Sequence, residues 1–414
     1  MSKMTQVIGM VLAACVSAFL CGCVAGPAAL QASRVRYNEV IQATTAEQLL
    51  LNLVRLQYRE APLFLEVGSV SAQFAFKTTA DVDGSIQEGP MPNYPDGLDL
   101  GAGVSFEEKP TVTFTPLQGG DFVKQLLSPL DFEVVLLLAR SGWSIDRVLR
   151  LTVQTMNGVD NASSASGPTP RHAPRYEEFV RLTGFFRLLQ TRGLLELGYA
   201  TREKELSPPL ANAQVRLSDL VEAANHGYRP RSTQDGASMI LTGTSRVLLW
   251  RIPPEAADSA EVKEIVELLG LVPDRSEYEI RLSLAGRPEG SVPRGERTKI
   301  NIATRSLMGA LFYLSQAVEV PQSHRDKGLV TTTVTADGET FDWCQVTGEL
   351  LRVSVQAMPP AGAAVAARHR GWWYSIDDAD LTSKSTFGLL SQLFALQAGE
   401  VEGAAPVLTL PVGG

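Results

Sequence analysis

Three aspartates, Asp377, Asp378 and Asp380, follow directly on Trp372-Trp373-Tyr374-Ser375-Ile376. Carboxylates at this density can hold a hard cation, which takes several oxygen ligands, or act as an acid–base pair. The EF-hand spacing is absent, however, and no glutamate stands at the offset that closes a calcium loop. A turn that caps the helix containing Phe387 accounts for the same residues, because carboxylates accept from the free N–H groups at a helix start. That reading is preferred. Of the four histidines, His172, His226 and His324 stand beside Pro, Gly or Arg in segments that read as loops or turns, where solvated side chains are expected. His369 lies between Arg368 and Arg370 on a predicted strand. Two flanking cations would depress its pKa and suit neither a metal ligand nor a cationic acid.

The larger catalytic signatures are missing. Residues 23–414 contain no GxSxG elbow, GxxxxGK phosphate loop, HExxH or CxxC. His324-Arg325-Asp326 copies three letters of a kinase catalytic loop without the rest of it. Gly101-Ala102-Gly103 lacks the preceding strand and the acidic partner of a dinucleotide site. No catalytic residue, metal ligand or cofactor is therefore assigned, and the balance leans away from an enzyme. With 37 Lys and Arg against 45 Asp and Glu, the net charge is −8, which argues against a nucleic-acid partner. At 44% hydrophobic and 20% charged residues, the composition is that of a globular protein.

The firmest signal lies at the front. Met1–Gln6 carries one charge, Lys3, and Val7–Leu20 is a charge-free run of fourteen residues ending in Leu20-Cys21-Gly22-Cys23. The run falls short of the ~20 apolar residues that span a membrane, but fits a secretory signal. Its end resembles the lipobox of bacterial lipoproteins, with an aliphatic residue and two small ones before the cysteine. Leu12-Ala13-Ala14-Cys15 matches too, but leaves only Val7–Val11 ahead of it. An ordinary signal peptide without lipid is the plainer alternative. The resemblance covers only the first 25 residues or so. It implies cleavage before Cys23 by signal peptidase II and acylation of Cys23, palmitate included, so that the partner is a lipid bilayer. Val24, where an aspartate would signal retention in the inner membrane, favours the inner leaflet of the outer membrane, with the body facing the periplasm. Cys15 and Cys21 leave with the signal and Cys344 stays alone, so no internal disulfide is expected.

The rest of the chain must supply the elements that position any site. Thr44 and Glu47 read as a capping box opening a helix with Leu50, Leu53, Val54 and Gln57 at helical spacing, stopped by Pro62. Residues 134–139 give a buried helix, and Ser238–Ile252 a strand pair or one long strand. Asp337-Gly338 marks a hairpin turn, and Pro359-Pro360 a second hairpin. Strands and helices mix without strict βαβ alternation. The expected class is α+β, largely antiparallel, with no transmembrane span after the signal. The expected organisation is a signal peptide (1–22), a tether (23–36) and an N-terminal α+β region (37–160). A linker (161–170), rich in small residues and prolines, then precedes a middle α+β region (171–290) and a C-terminal one (291–414) with two hairpins and a terminal helix.

In the last hairpin, alternation places Val365, Ala367 and Trp373 on one face and Arg368, Arg370, Trp372 and Tyr374 on the other. Trp373 is then core, and Arg368, Arg370 and Trp372 form a contact surface of interface composition. Cys344 reads as a small buried residue on a strand. The leading functional expectation is an anchored lipoprotein with a structural or protein-interaction role and an envelope protein partner. A small-ligand or glycan binder using Trp372–Tyr374 ranks next, then an envelope hydrolase whose site is not readable from sequence.

Overall fold

The computed structural model describes residues 34–84, 98–117, 119–211, 215–233, 236–283, 292–398 and 408–411; Cys23 and the expected signal lie outside them. The chain divides into two units: Met1–Leu49, Pro62–Val123 and Ala398–Gly414 in one, Leu50–Ala61 and Lys124–Gln397 in the other. Among the described residues no helix is long and apolar enough to cross a membrane.

Helix α1 (34–57) contributes to both units. Thr44 does not open it. Its hydroxyl donates back to the carbonyls of Val40 (2.9 Å) and Ile41 (3.1 Å) inside the helix. Residues 34–43 contain neither Gly nor Pro, so nothing breaks the helix upstream of Thr44, and residues 34–36 of the expected tether are already helical. The first unit otherwise consists of a long hairpin, β1 (Leu65–Gly84) with β2 (Leu98–Pro116), and a terminal strand (Leu408–Pro411) antiparallel to β2.

The second unit is α+β. After α2 (Gly120–Leu127), which begins just before it, come α3 (Phe132–Arg140) and α4 (Ile145–Thr152). The chain then forms a small hairpin, β3 (Val153–Met156) and β4 (Val159–Asp160), turning at Asn157-Gly158 with φ of 49° and 86°. Its main sheet runs β4-β3-β10-β9-β8-β5. Here β5 is Glu196–Glu205, β8 is the single long strand Ser238–Arg251, β9 is Glu277–Leu282 and β10 is Lys299–Thr304. Two short strands, β6 (Leu210–Ala211) and β7 (Arg229–Ser232), also pair with β8. All pairs are antiparallel except β9 with β10. Because β9 and β10 pair, residues on both sides of position 290 share one sheet.

Helices α5 (Glu177–Thr191) and α7 (Ala260–Leu269) pack together, with α6 (Leu217–Asn225) between them in sequence. Phe179, Leu182 and Leu189 of α5 are fully buried, and Phe186 sets its ring edge on Trp250 of β8 at 5.4 Å. Burying such aromatics contributes most of the stability of a core lacking disulfides.

Residues 161–170 do not act as an exposed linker. Asn161, Ala162, Ala165 and Thr169 are buried. The reason lies far downstream, in Arg305, whose guanidinium is itself fully buried. It donates through Nη1 to the carbonyls of Arg150 (3.0 Å) and Val153 (2.7 Å), through Nη2 to that of Asn161, and through Nε to Ser166 Oγ (3.0 Å). The Tyr313 ring of α8 (Leu307–Ser315) lies 4.1 Å away. Burial pushes the Arg305 pKa down to about 10, so it stays cationic at neutral pH. Small residues are needed here for close packing, and their composition imitates a tether.

The C-terminal part holds α9 (Gln322–Asp326), α10 (Cys344–Thr347), β11 (Ser354–Gln356), β12 (Ala363–His369), β13 (Trp372–Asp377) and α11 (Leu381–Ala398). The strand order is β11-β13-β12, so the hairpin turns at Arg370-Gly371 and not at Pro359-Pro360. Both turn residues have positive φ, 50° and 86°, the geometry of a tight turn between twisted strands. Cys344 is exposed at the start of α10 rather than buried in a strand.

Candidate functional site

The Arg370-Gly371 turn resets the alternation of side chains. Directly paired residues share a face, and Val365 pairs with Ile376, Ala367 with Tyr374, and His369 with Trp372. All of these belong to the inner face, where Tyr374 is completely buried. Arg368 pairs with Trp373 on the outer face. The expected faces are thus exchanged for the two tryptophans: Trp372 turns inward, its ring edge-on to His324 at 6.3 Å, and Trp373 turns outward. Of the expected contact surface, Arg368 is exposed, Arg370 is engaged in an ion pair, and Trp372 is half-buried. Tyr374 offers no face to a ligand.

Around this inner face the fold gathers a polar cluster that the sequence does not announce. Helix α1 ends in a left-handed residue, Arg59 (φ 59°), with Glu60 N–H donating to the Arg55 carbonyl. This delivers Tyr58 and Glu60 to the hairpin tip. The Tyr58 hydroxyl lies 2.7 Å from His324 Nδ1 and 2.7 Å from the Tyr374 hydroxyl. Arg370 donates through Nε (2.9 Å) and Nη2 (2.6 Å) to Glu60 Oε1, with its guanidinium over the Tyr58 ring at 5.1 Å. His369 Nε2 stands 3.1 Å from Glu60 Oε2, an ion-pair separation without the alignment of a hydrogen bond.

The electrostatics follow from burial and these partners. Burial disfavours the Glu60 charge, but the Arg370 hydrogen bonds, with His369, hold its carboxyl below the usual range. Burial lowers His324, and Arg370, Lys327 and His369 push it the same way. Burial likewise lowers His369, against the pull of Glu60. Burial raises both Tyr58 and Tyr374. With His324 neutral, Tyr58 donates to Nδ1 and accepts from Tyr374, which satisfies every member of the chain. The expectation that His324 is a solvated loop residue is corrected: it sits in α9 and is buried. His172 and His226 are exposed.

The three aspartates serve the start of α11. Asp380 accepts from Ser383 N–H (3.0 Å) and Oγ (2.6 Å), Asp377 accepts from Ala379 N–H (2.8 Å), and Asp378 pairs with Lys384. Only Gly371, following Arg370, could have signalled the turn in advance, since glycine is the default residue for positive φ. Nothing local in the sequence links Tyr58 to His324 or Tyr374. No family model, curated protein or solved structure matches this chain.

Proposed function

We propose that the chain is a lipid-anchored envelope protein whose folded body serves as a structural or protein-interaction module. The observation that carries this reading is Leu20-Cys21-Gly22-Cys23 at the end of the charge-free run Val7–Leu20. The body's geometry is consistent with binding rather than bond-breaking. A general base must turn a free lone pair towards a reacting atom, whereas His324 Nδ1 is taken up by Tyr58 and Glu60 Oε1 by Arg370. On the outer face of the hairpin, Gln356, Trp373 and Arg368 form a row across β11, β13 and β12. Trp and Arg together favour protein contact, since aromatic and guanidinium groups contribute most at interface centres. This row replaces the contact surface expected from the sequence.

The test is metabolic labelling with an alkyne fatty acid, followed by mass spectrometry of the N-terminal peptide. The expected peptide begins at an acylated Cys23, and Cys23→Ala abolishes the label. An unacylated mature N-terminus beyond Cys23 removes the anchor. A photo-crosslinker at position 368 should trap a discrete envelope protein in living cells; capture of none leaves the interaction role without support.

A further inference from the structure

The strands of the β1–β2 hairpin run 20 and 19 residues, against the ~5–6 typical of globular sheets. Register and alternation sort their positions cleanly onto two faces. Every second position of β1 from Val70 to Val82 reads Val, Ala, Phe, Phe, Thr, Ala, Val. The β2 positions opposite, from Val112 back to Leu100, read Val, Pro, Glu, Phe, Val, Ala, Leu. The other face, from Ser69 to Asp83 and from Thr113 back to Asp99, holds Ser, Thr, Gly, Gln, one Ala and six charged residues. At the base of the hairpin this polar face is the covered one. Thr113 and Thr115 are buried, whereas Leu65 is exposed and Val67, Val112 and Phe114 are half-buried. A sheet with one side in water packs the opposite way.

The edges are open as well. Among the described residues, the outer edge of β1 pairs with no strand, and that of β2 pairs only at Thr111–Phe114, with the terminal strand. Open edges of this length invite further strands, and closure into a barrel removes them. The apolar face is free of charge over nine paired positions, Phe76–Gly84 against Leu98–Phe106. That matches the ~9–11 residues of a strand crossing a bilayer, so the lack of a spanning helix has no bearing here. Phe76 and Phe106 stand opposite each other at one end of this stretch, where membrane barrels carry an aromatic girdle. We propose that the β1–β2 hairpin spans a bilayer, pairing edge to edge with hairpins of further copies of this chain to close a barrel. Two strands per copy and ~8 strands or more per barrel require about four copies or more, joined head to tail in a ring. Lipid then covers the apolar face. The polar face lines the lumen, where Asp81, Asp83 and Asp99 outnumber Lys77 and favour cations.

Planar phosphatidylcholine bilayers test this. The full chain is purified in detergent as the cell makes it, so conductance is read whether or not Cys23 is acylated. Discrete, cation-selective conductance steps are expected. Ala80→Arg puts a charge on the apolar face and should cut the rate of insertion about tenfold or more. Asp81→Lys should move the reversal potential in a potassium chloride gradient towards anion preference, a readout that misfolding alone does not give. The proposal is overturned by a parent chain that gives no steps, or by steps that neither substitution alters. Capture of a water-soluble protein by a photo-crosslinker at position 82 overturns it too.

Discussion

The hydroxyls of Tyr58 and Tyr374 meet at 2.7 Å across 316 positions of sequence, and His324 Nδ1 continues the chain from Tyr58. Tyr58 is the middle member, so losing its oxygen strands two partners, whereas losing that of Tyr374 strands only one end. Tyr58→Phe should therefore cost about 1–3 kcal/mol, and Tyr374→Phe about 0.5–1.5 kcal/mol. Urea unfolding of both variants gives the order. A larger loss for Tyr374→Phe would mean that the buried network is not centred on Tyr58.

Acid should weaken the same region. His324 and His369 both titrate below the ordinary 6.5 in the folded chain, chiefly through burial, so the unfolded chain takes up protons first. Stability is then complete above about pH 6.5 and is lost as pH falls towards the folded-state values. Glu60, held below 4.5, adds its own loss only at lower pH. Unfolding midpoints between about pH 7.5 and 5 should decline for the parent chain and flatten for the double variant His324→Gln, His369→Gln. An equal slope in both would place the proton uptake elsewhere.

The two tryptophans give a third comparison. Trp372 faces inward against His324, and Trp373 faces outward beside Arg368. Fully buried aromatics cost ~3–5 kcal/mol on truncation to alanine. Both are half-buried and should lose about half of that, Trp372 the more because its ring packs on the buried His324. Thermal melts of Trp372→Ala and Trp373→Ala decide the order, which is the reverse of what plain alternation along the strand implies.

That reversal marks how far local pattern reaches. The apolar stripe of α1, the α+β class and the capping role of Asp380 were legible because each depends on neighbours within a few positions. The faces of the last hairpin were not, because the turn falls at Arg370-Gly371 and an arginine with positive φ carries no compositional mark. The polar cluster was hidden for a different reason. Its members come from residues 58–60, 324 and 369–374, and only the fold brings them together. Residues 161–170 misled through composition, since small side chains suit both a free linker and a tightly packed turn.

Arg305 supplies a test of that packing. Arg305→Met should cost about 1–3 kcal/mol, because the Asn161 carbonyl loses this donor, while the carbonyls of Arg150 and Val153 keep their hydrogen bonds from Asn161 Nδ2. Arg305→Lys should recover little, since an ammonium cannot reproduce the planar fork that spans separate carbonyls. Chemical denaturation reads both. Recovery by lysine would show that charge matters at this position and geometry does not.

The same arginine sets a timetable for synthesis. The segment it ties down is complete by residue 166, yet its donor is encoded 144 positions after Asn161, immediately behind the strand that pairs with β3. A chain emerging from its N-terminus carries the Asn161 carbonyl without this donor until nearly three-quarters of its length has been made. Such long-range closure is slow and leaves early segments open to misassembly. A chain terminated ahead of β10 lacks both Arg305 and the strand that pairs with β3 and β9, so the Asn161 carbonyl and those two strand edges are left without these partners.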